Sequence, residues 1–207
     1  GSMELDDLTF DLGAGEILGV AGGEGNGQRV IADLLSGLRS QSRGEIAVSG
    51  VTVDVSRHGA TIEAGIAVIP EDRHDSGIVL EMTVAENLML SDPSGLSSRG
   101  VIDRAGVDEM SRDLIDRFAI MCTGPDAPMW TLSGGNQQRV VLAREITAAP
   151  KVLVAAQPTR GLDVGAIEYV TDQLRQVAAS GVGILLMSSE LDEILELLSK
   201  MSANTEF

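Results

Sequence analysis

The chain has 207 residues, a formal net charge of −16 and a hydrophobic fraction of 43%. This length and composition allow one sizeable domain with a buried core and exclude a wholly disordered chain. A nucleic-acid-binding protein usually presents a basic face, so the acidic balance argues against DNA or RNA as the main partner. The single cysteine, Cys122, cannot form an internal disulfide, which fits a reducing cytosol.

Short apolar runs alternate along the chain with longer helical patterns. The runs are rich in Val, Ile and Leu, are bounded by Gly or Pro, and lie at residues 16–21, 65–70, 150–156 and 181–188. Helical patterns lie between them at residues 28–37, 137–149 and 164–179, and a hairpin is predicted at residues 45–55. Buried parallel strands have this near-continuous apolar character, so the alternation predicts an α/β domain with a parallel sheet.

Residues 72–132 have a different character, with turn-forming Pro and Gly segments and a polar helical pattern at residues 108–118. We predict a mostly helical insert here. It would lie within a single domain spanning residues 1–207, whose sheet core occupies about residues 13–71 and 133–198. The longest apolar run, around residues 183–187, has the length of a strand, whereas a membrane-spanning helix needs roughly 18 apolar residues.

A glycine-rich segment follows the first predicted strand and opens the first predicted helix. It reads Gly22-Gly23-Glu24-Gly25-Asn26-Gly27-Gln28-Arg29. A phosphate-binding P-loop has the pattern G-x-x-x-x-G-K-[ST] in this place, and its two outer glycines match. However, Gln28 cannot bring the charge of a lysine to the phosphates, and Arg29 cannot ligate Mg²⁺ as a hydroxyl would. By itself, the segment is equally consistent with a phosphate site and with a structural turn.

A second motif precedes the helical pattern at residues 137–149 and reads Leu132-Ser133-Gly134-Gly135-Asn136-Gln137-Gln138. Ser133 can cap the helix that follows, and the two glycines allow a phosphate to approach the backbone closely. A helix start with free N–H groups is an anion site. The next apolar run is followed by a third segment, Gln157-Pro158-Thr159-Arg160-Gly161-Leu162-Asp163.

In this order the segments resemble the P-loop, signature, Walker B strand and D-loop of ABC ATPases. The LSGGNQQ form of the signature is common in sugar and nucleoside importers, and the resemblance covers nearly the whole chain. Residues 19–22, 69–73 and 156–163 are similar to the second ATP-binding halves of nucleoside and ribose-type importers. The resemblance implies a P-loop NTPase fold, with a parallel-sheet α/β core and a helical subdomain insert.

The resemblance also implies roles for single residues. The nucleotide-binding set comprises the P-loop and the Q-loop position, namely Gly22, Glu24, Gly25, Asn26, Gly27, Gln28, Arg29 and Glu71. The signature, which would act in trans on nucleotide bound to a partner, is Leu132, Ser133, Gly134, Gly135, Asn136 and Gln137. The D-loop is Gly161, Leu162 and Asp163.

Several positions depart from the pattern of an active ATPase. Ala156 stands where active members have the aspartate that helps to hold Mg²⁺, and Gln157 replaces the glutamate that polarises the attacking water. Ser189 takes the place of the switch histidine. Because phosphoryl transfer depends on charge neutralisation and a held water, we expect the isolated chain to be inactive or very weak in ATP hydrolysis. ATP would bind weakly or in trans, with Mg²⁺ at the partner site only and no metal site here.

ABC domains work as head-to-tail pairs, so the resemblance implies a partner, either an N-terminal or a second ABC nucleotide-binding domain. It also implies membrane permease subunits, which would hold the chain at the cytoplasmic side of the membrane and contact it at about residues 72–93. Two alternatives stay open. One is an autonomous ATPase in which Arg29 and Glu71 stand in for the missing groups, and the other is a soluble ABC-like scaffold that takes no part in transport.

Other residues have simpler interpretations. We expect Cys122 to be a small buried hydrophobe, Trp130 to anchor the insert, and the isolated His58 and His74 to be surface or capping residues. Ser189 with Asp192 is also typical of a helix N-cap pair.

Overall fold

The computed structural model describes residues 8–22, 27–91, 97–98, 101–190 and 195. Its strands are β1 (Ile17–Ala21), β2 (Ala47–Val48), β3 (Val51–Thr52), β4 (Ile66–Ile69), β5 (Ser97–Ser98), β6 (Val101–Ile102), β7 (Val152–Ala156) and β8 (Gly183–Ser188). Its α-helices are α1 (Gln28–Leu35), α2 (Ala60–Ala64), α3 (Val84–Leu88), α4 (Arg104–Arg117), α5 (Gly134–Thr147) and α6 (Val164–Ala179). A π-helical turn spans Arg73–Gly77 and a 3-10 turn spans Met129–Thr131.

Four of the strands form a parallel sheet in the order β1-β8-β7-β4. The register places Ala21 opposite Ser188, Ala156 opposite Met187, and Ile69 opposite Ala155. All four carboxyl ends therefore meet at one edge of the sheet. In open α/β sheets, ligands bind at the carboxyl edge, so the residues that follow these strands define the region of interest.

The sheet is buried on both faces. Along β8, Ile184 and Leu186 join one apolar cluster, whereas Leu185 and Met187 join the other. This division follows from the two-residue period of a strand, and it explains why the strand sequences are almost continuously apolar. The first cluster holds residues of α5, α6 and the predicted insert, and the second holds residues of α1 and of the β2–β3 region.

The predicted core strands and helices are confirmed, with shorter or shifted ends. Helix α1 ends at Leu35, two residues early, and Gly37 adopts a positive φ of 75° just beyond the Ser36 C-cap. Helix α5 begins at Gly134, three residues early, because Ser133 caps it. The hairpin at residues 45–55 is confirmed as the short β2–β3 pair.

The predicted insert carries α3, α4, both short turns and the β5–β6 pair. Helix α4 begins at Arg104 rather than at residue 108, because Asp103 accepts a hydrogen bond from the backbone N–H of Gly106 and caps it. Buried insert residues such as Phe118 and Met129 share a cluster with the sheet. The division of the chain at residues 72 and 132 stays a prediction.

The expectation for Trp130 is wrong. Its side chain is 66% exposed, and the neighbouring Met129, which is fully buried, occupies the core instead. Adjacent residues of the 3-10 turn point in different directions, so the side chain of Met129 faces the core and that of Trp130 faces solvent. Cys122, expected to be buried, is only half-buried, although it does pack against the core. In the described part of the chain, no helix is long and apolar enough to cross a bilayer.

Candidate functional site

The site lies at the carboxyl edge of the parallel sheet. Gly22, Glu71, Gln157 and Ser189 follow β1, β4, β7 and β8 respectively, so the fold brings together four positions predicted from the sequence. Backbone hydrogen bonds fix this edge, since Gly22 N–H donates to Ser188 O at 3.3 Å and Gln157 N–H donates to Met187 O at 2.8 Å. The predicted P-loop residues Glu24, Gly25 and Asn26 lie outside the described residues, as does Asp192.

Gln28 occupies the lysine position of the P-loop and uses its side chain to bind the sheet. Its Nε2 lies 3.0 Å from Val20 O and 3.3 Å from Ser188 O. An amide nitrogen has two N–H donors, and both are used by these two carbonyls. The side chain therefore ties the ends of β1 and β8 together, and no donor is left over for a phosphate.

Arg29, at the hydroxyl position, forms an ion pair with Asp75 of the π-helical turn. Its Nη2 lies 3.4 Å from Oδ2 of Asp75, and the two side chains are 71% and 64% exposed. An exposed pair of this kind contributes little to stability. It nevertheless directs the guanidinium towards the turn after Glu71 and supplies a carboxylate that competes with any phosphate for this charge.

The two positions that carry the catalytic carboxylate and the switch histidine in active ATPases contact each other here. Ser189 Oγ donates to Oε1 of Gln157 at 3.2 Å. Gln157 has a φ of 48°, a left-handed conformation that is uncommon for a residue other than glycine. Neither side chain ionises near neutral pH, so the pair can hold a polar molecule but cannot remove a proton from it.

Glu71, at the Q-loop position, forms an ion pair with Arg160 of the segment that leads into the D-loop. Arg160 Nη1 lies 2.5 Å from Oε1 of Glu71. The backbone of this segment is turned, because Arg160 N–H donates to Gln157 O at 3.0 Å and Leu162 N–H donates to Thr159 O at 3.1 Å. The ion pair therefore links the segment that follows β4 to the segment that follows β7.

The described residues beside the P-loop do not offer a site for a Mg²⁺ ion. Ala156 is 4% exposed and offers a methyl group where an oxygen ligand is required. Among the residues that the structure describes, no group of three or more His, Cys, Asp or Glu side chains could hold a metal ion. Because Gln28 is bound to the sheet and Gln157 is neutral, we derive no hydrolytic step at the P-loop end of the site.

The signature, by contrast, forms the start of helix α5, and its capping residue is exposed. Ser133 is exposed, and its Oγ accepts from Asn136 N at 3.4 Å and from Asn136 Nδ2 at 3.0 Å. The first helical hydrogen bond of α5 runs from Gln137 N–H to Ser133 O. The N–H groups of Gly134 and Gly135 precede it and have no acceptor within the helix, which is the arrangement that binds anions.

The two signature glycines are packed closely against other elements. A Cβ on Gly135 would lie 3.1 Å from Cβ of Ala166 in the first turn of α6, and a Cβ on Gly134 would lie 2.8 Å from Nη2 of Arg73. Asp163, the last D-loop residue, caps α6 by accepting from Ala166 N–H at 2.9 Å. Gly135 therefore lies against the start of α6, which the D-loop residue Asp163 caps, whereas the close contact at Gly134 is with the flexible end of the Arg73 side chain.

His74, predicted to be a surface or capping residue, also reaches the signature helix. Its ring is exposed, yet its Nε2 lies 2.9 Å from Oε1 of Gln137. The turn that carries it begins at Asp72, whose carboxylate accepts from the N–H groups of His74 and Asp75. The hydrogen bond from His74 is the main cause that lowers the pKa of Asp72 below its ordinary value. No pattern in the sequence links residues 74 and 137.

A groove of about 390 Å³ lies between α2, β4, α5 and the turn after Glu71. Residues 75–79 and 90–91 line one side of it, within the stretch predicted to contact permease subunits. Its wall includes a buried ion pair in which Arg144 Nε lies 2.7 Å from Oε1 of Glu145. Apolar side chains at its rim, Ile62 and Leu90, are 62% and 42% exposed.

Comparison with known proteins identifies the family to which the chain is similar. A family profile described as ABC transporter matches residues 5–160. The nucleoside import ATP-binding protein NupA of Lactococcus lactis subsp. cremoris is 40% identical over 204 residues, which cover 98% of this chain and 40% of that protein. The ribose import ATP-binding protein RbsA 2 of Rhizobium etli is 38% identical over 196 residues, covering 94% and 39%. The guanosine import ATP-binding protein NupO of Bacillus subtilis is 38% identical, covering 98% and 40%. The chain thus spans about 40% of the length of these relatives.

Solved structures share the fold. The ATP-binding cassette MJ0796, in a dimeric post-hydrolysis state with ADP and phosphate, superposes with a TM-score of 0.75 at 19% identity, covering 91% of this chain and 81% of that one. A nucleotide-free cassette from an ABC transporter also gives a TM-score of 0.75, at 20% identity and with coverages of 93% and 78%. At this identity the likeness establishes the P-loop NTPase architecture and nothing finer.

Proposed function

Because this chain belongs to the ABC transporter family, we propose that it is an ATP-binding domain of an importer for nucleosides or sugars. Its own site would be catalytically impaired, and its signature would complete an ATP site on a partner domain. The partner would be an N-terminal or second ABC domain with an intact P-loop, and Mg²⁺ would be bound only there. The solute class follows from the relatives, which are named for nucleoside, guanosine and ribose import.

One observation supports the proposal most strongly: the side chains at the P-loop end of the site are bound to other groups of the protein, whereas the signature end is open to a ligand. At the P-loop end, Gln28 is bound to strand carbonyls, Arg29 to Asp75, and Gln157 to Ser189. At the signature end, Ser133 is exposed at a helix start, and the N–H groups of Gly134 and Gly135 have no acceptor within the helix. An ATP molecule held by a partner would find phosphate ligands at the second end, where a helix start favours anions.

The same contacts argue against the alternative of an autonomous ATPase. That reading needs Arg29 to replace the P-loop charge and Glu71 to act at the nucleotide. Both side chains are instead engaged in ion pairs, with Asp75 and Arg160. The importer reading further places the permease contact at the 390 Å³ groove, where exposed apolar side chains meet a buried ion pair. Through that contact the chain would lie on the cytoplasmic side of the membrane.

The test is turnover in a paired complex, meaning this chain associated with an ABC domain that has an intact P-loop. Ser133→Tyr places a ring over the helix start that would contact the phosphate. Loss of one preorganised phosphate ligand commonly lowers turnover by about a hundredfold, and we expect a loss of that size in Mg²⁺-dependent ATP hydrolysis. The isolated chain should show no hydrolysis above background.

Ser56→Tyr is the matched control, since Ser56 is an exposed serine near the β2–β3 pair and is distant in sequence from both motifs. This variant should hydrolyse ATP at the unaltered rate. Unchanged turnover in the Ser133→Tyr complex would refute action in trans. Rapid hydrolysis by the isolated chain would favour the autonomous enzyme.

A further inference from the structure

Gln137, in the first turn of α5, has a fixed hydrogen-bonding role. It is 6% exposed, and its Nε2 lies 3.2 Å from Leu132 O and 3.4 Å from Met129 O. Both amide hydrogens are directed to these carbonyls, so Oε1 remains as an acceptor. Any group that satisfies Oε1 must be a donor, and the buried position of the residue makes an unsatisfied oxygen costly.

His74 is that donor. Its Nε2 is 2.9 Å from Oε1 of Gln137, so Nε2 must carry a hydrogen. The neutral ring in one tautomer and the imidazolium both meet this requirement. The link between the two residues is therefore directional, running from the ring to the amide, and it does not depend on the protonation state of the histidine.

The backbone of His74 is also held in place, by a hydrogen bond to Asp72. It lies in the π-helical turn Arg73–Gly77, which Asp72 caps through the N–H groups of His74 and Asp75. This turn directly follows Glu71, and its later residues line the 390 Å³ groove. The turn thus connects the Q-loop position, the groove and the signature helix.

Arg73 makes a second connection from the same turn. Its Nη1 lies 3.3 Å from Arg160 O, next to the D-loop, and its Nη2 packs against Gly134. Two consecutive side chains therefore hold the turn against both segments that would face a partner's nucleotide. The His74 contact reaches the buried side-chain amide of Gln137, whose N–H groups are already bonded to backbone carbonyls. A shift of the His74 ring must therefore shift α5 or break the hydrogen bond.

We propose that His74 is a positioning residue for the signature, which sets the orientation of the start of α5 through its hydrogen bond to Gln137. This role rests on the proposed function, since positioning matters for catalysis only if the signature acts on a partner's ATP. Movement of the turn at the groove would then pass to Ser133 and the glycines. His74 itself does not touch the nucleotide.

Two variants of almost identical shape separate this role from a general structural one. In His74→Gln the amide can donate from the position of Nε2, whereas in His74→Glu a carboxylate oxygen would face Oε1 of Gln137. We expect His74→Gln to retain turnover in the paired complex within about twofold, and His74→Glu to lower kcat about tenfold or more, the usual effect of leaving a buried acceptor unpaired. The KM for ATP should stay unchanged, because the partner's P-loop supplies the binding.

His58→Glu controls for the added charge, since His58 is the other histidine of the chain and is exposed. Amide hydrogen exchange at Asn136 and Gln137, whose N–H groups are bonded to Ser133, gives a readout that needs no partner. His74→Glu should accelerate exchange there and leave exchange in β7 and β8 unaltered, and His74→Gln should do neither.

Equal behaviour of His74→Gln and His74→Glu, in exchange or in kcat, would overturn the positioning role. A loss of kcat in His58→Glu of the same size would overturn it too, because the effect would then be one of charge. The proposed function fails separately, through unchanged turnover in Ser133→Tyr. Loss in Ser133→Tyr with normal turnover and exchange in His74→Glu would leave the trans role standing and remove His74 from it.

Discussion

Gln28, Gln157 and Ser189 place neutral groups where an active ATPase has ionisable ones. A lysine or a carboxylate at these positions needs a counter-charge, which nucleotide and metal normally provide. The amides and the hydroxyl instead find partners within the protein, at Val20 O, at Ser188 O and in each other. Hydrogen bonds between neutral groups satisfy the edge of the sheet without a ligand, because no net charge is buried there.

This reasoning predicts the effect of restoring the P-loop residues. Gln28→Lys with Arg29→Ser returns the ammonium and the hydroxyl that contact phosphates and Mg²⁺. We expect nucleotide affinity of the isolated chain to rise about tenfold or more, because one charge-assisted contact is worth roughly 1.5–3 kcal/mol. Hydrolysis should still be absent, since Ala156 and Gln157 remain. A fluorescent ATP analogue measures the affinity, and Lys151→Arg serves as the control, because Lys151 precedes the amino end of β7 and so lies at the opposite edge of the sheet.

An unchanged affinity in the Gln28→Lys, Arg29→Ser variant would contradict the view that the charge deficit limits binding. Appreciable hydrolysis in this variant would show that Ala156 and Gln157 are sufficient for chemistry.

At the scale of elements, Asn87 of α3 holds the predicted insert together near the groove. It is fully buried, its Oδ1 accepts from Val79 N at 2.8 Å, and its Nδ2 lies 2.9 Å from Val79 O and 3.0 Å from Thr83 O. The helix also has a capping box formed by Thr83 and Glu86. A five-residue helix has too few internal hydrogen bonds to be stable alone, so these contacts determine its position.

Asn87→Ala should therefore destabilise the chain. It removes a fully buried side chain and leaves the N–H and C=O of the half-buried Val79 without their partner, and we expect a loss of about 3 kcal/mol in the free energy of unfolding. Urea denaturation followed by circular dichroism measures this change. Glu109→Ala, at an exposed position of α4, should alter stability by less than about 0.5 kcal/mol. Equal midpoints for the two variants would contradict the role given to Asn87.

For the whole molecule, the parallel sheet brings the P-loop, Q-loop position, Walker B position and switch position to one edge, while α5 carries the signature. Two copies of this chain placed head to tail would join two impaired P-loops, each lacking the lysine and the Mg²⁺ ligand. Each would also carry a formal net charge of −16, which opposes self-association. Under the proposed function, the intact P-loop would therefore belong to a different domain.

We therefore expect ATP to promote association of this chain with an ABC domain whose P-loop is intact, and not association of the chain with itself. Light scattering after gel filtration, with and without ATP and Mg²⁺, measures both. The Ser133→Tyr variant should weaken the mixed association by removing the phosphate contact. ATP-dependent dimers of the chain alone would contradict the asymmetric pairing.

The amino-acid sequence by itself determined the architecture of this protein. The apolar runs predicted four buried parallel strands, the spacing of Ser133 and the glycines predicted a capped helix start, and the missing lysine, aspartate and glutamate predicted a charge deficit. These features are readable because they depend on neighbours in the chain, or on a motif whose residues lie within one turn and its adjoining helix.

Only the tertiary structure decided which of those residues contact each other. The bonds from Gln28 to Ser188 O, from Ser189 to Gln157, from Arg160 to Glu71 and from His74 to Gln137 join positions separated by 32 to 160 residues. The exposure of Trp130 likewise depended on which face of its turn met the core. Contacts between side chains that are distant in sequence depend on the strand order and on the angles at which helices and strands pack. A local pattern of residue types determines neither of these.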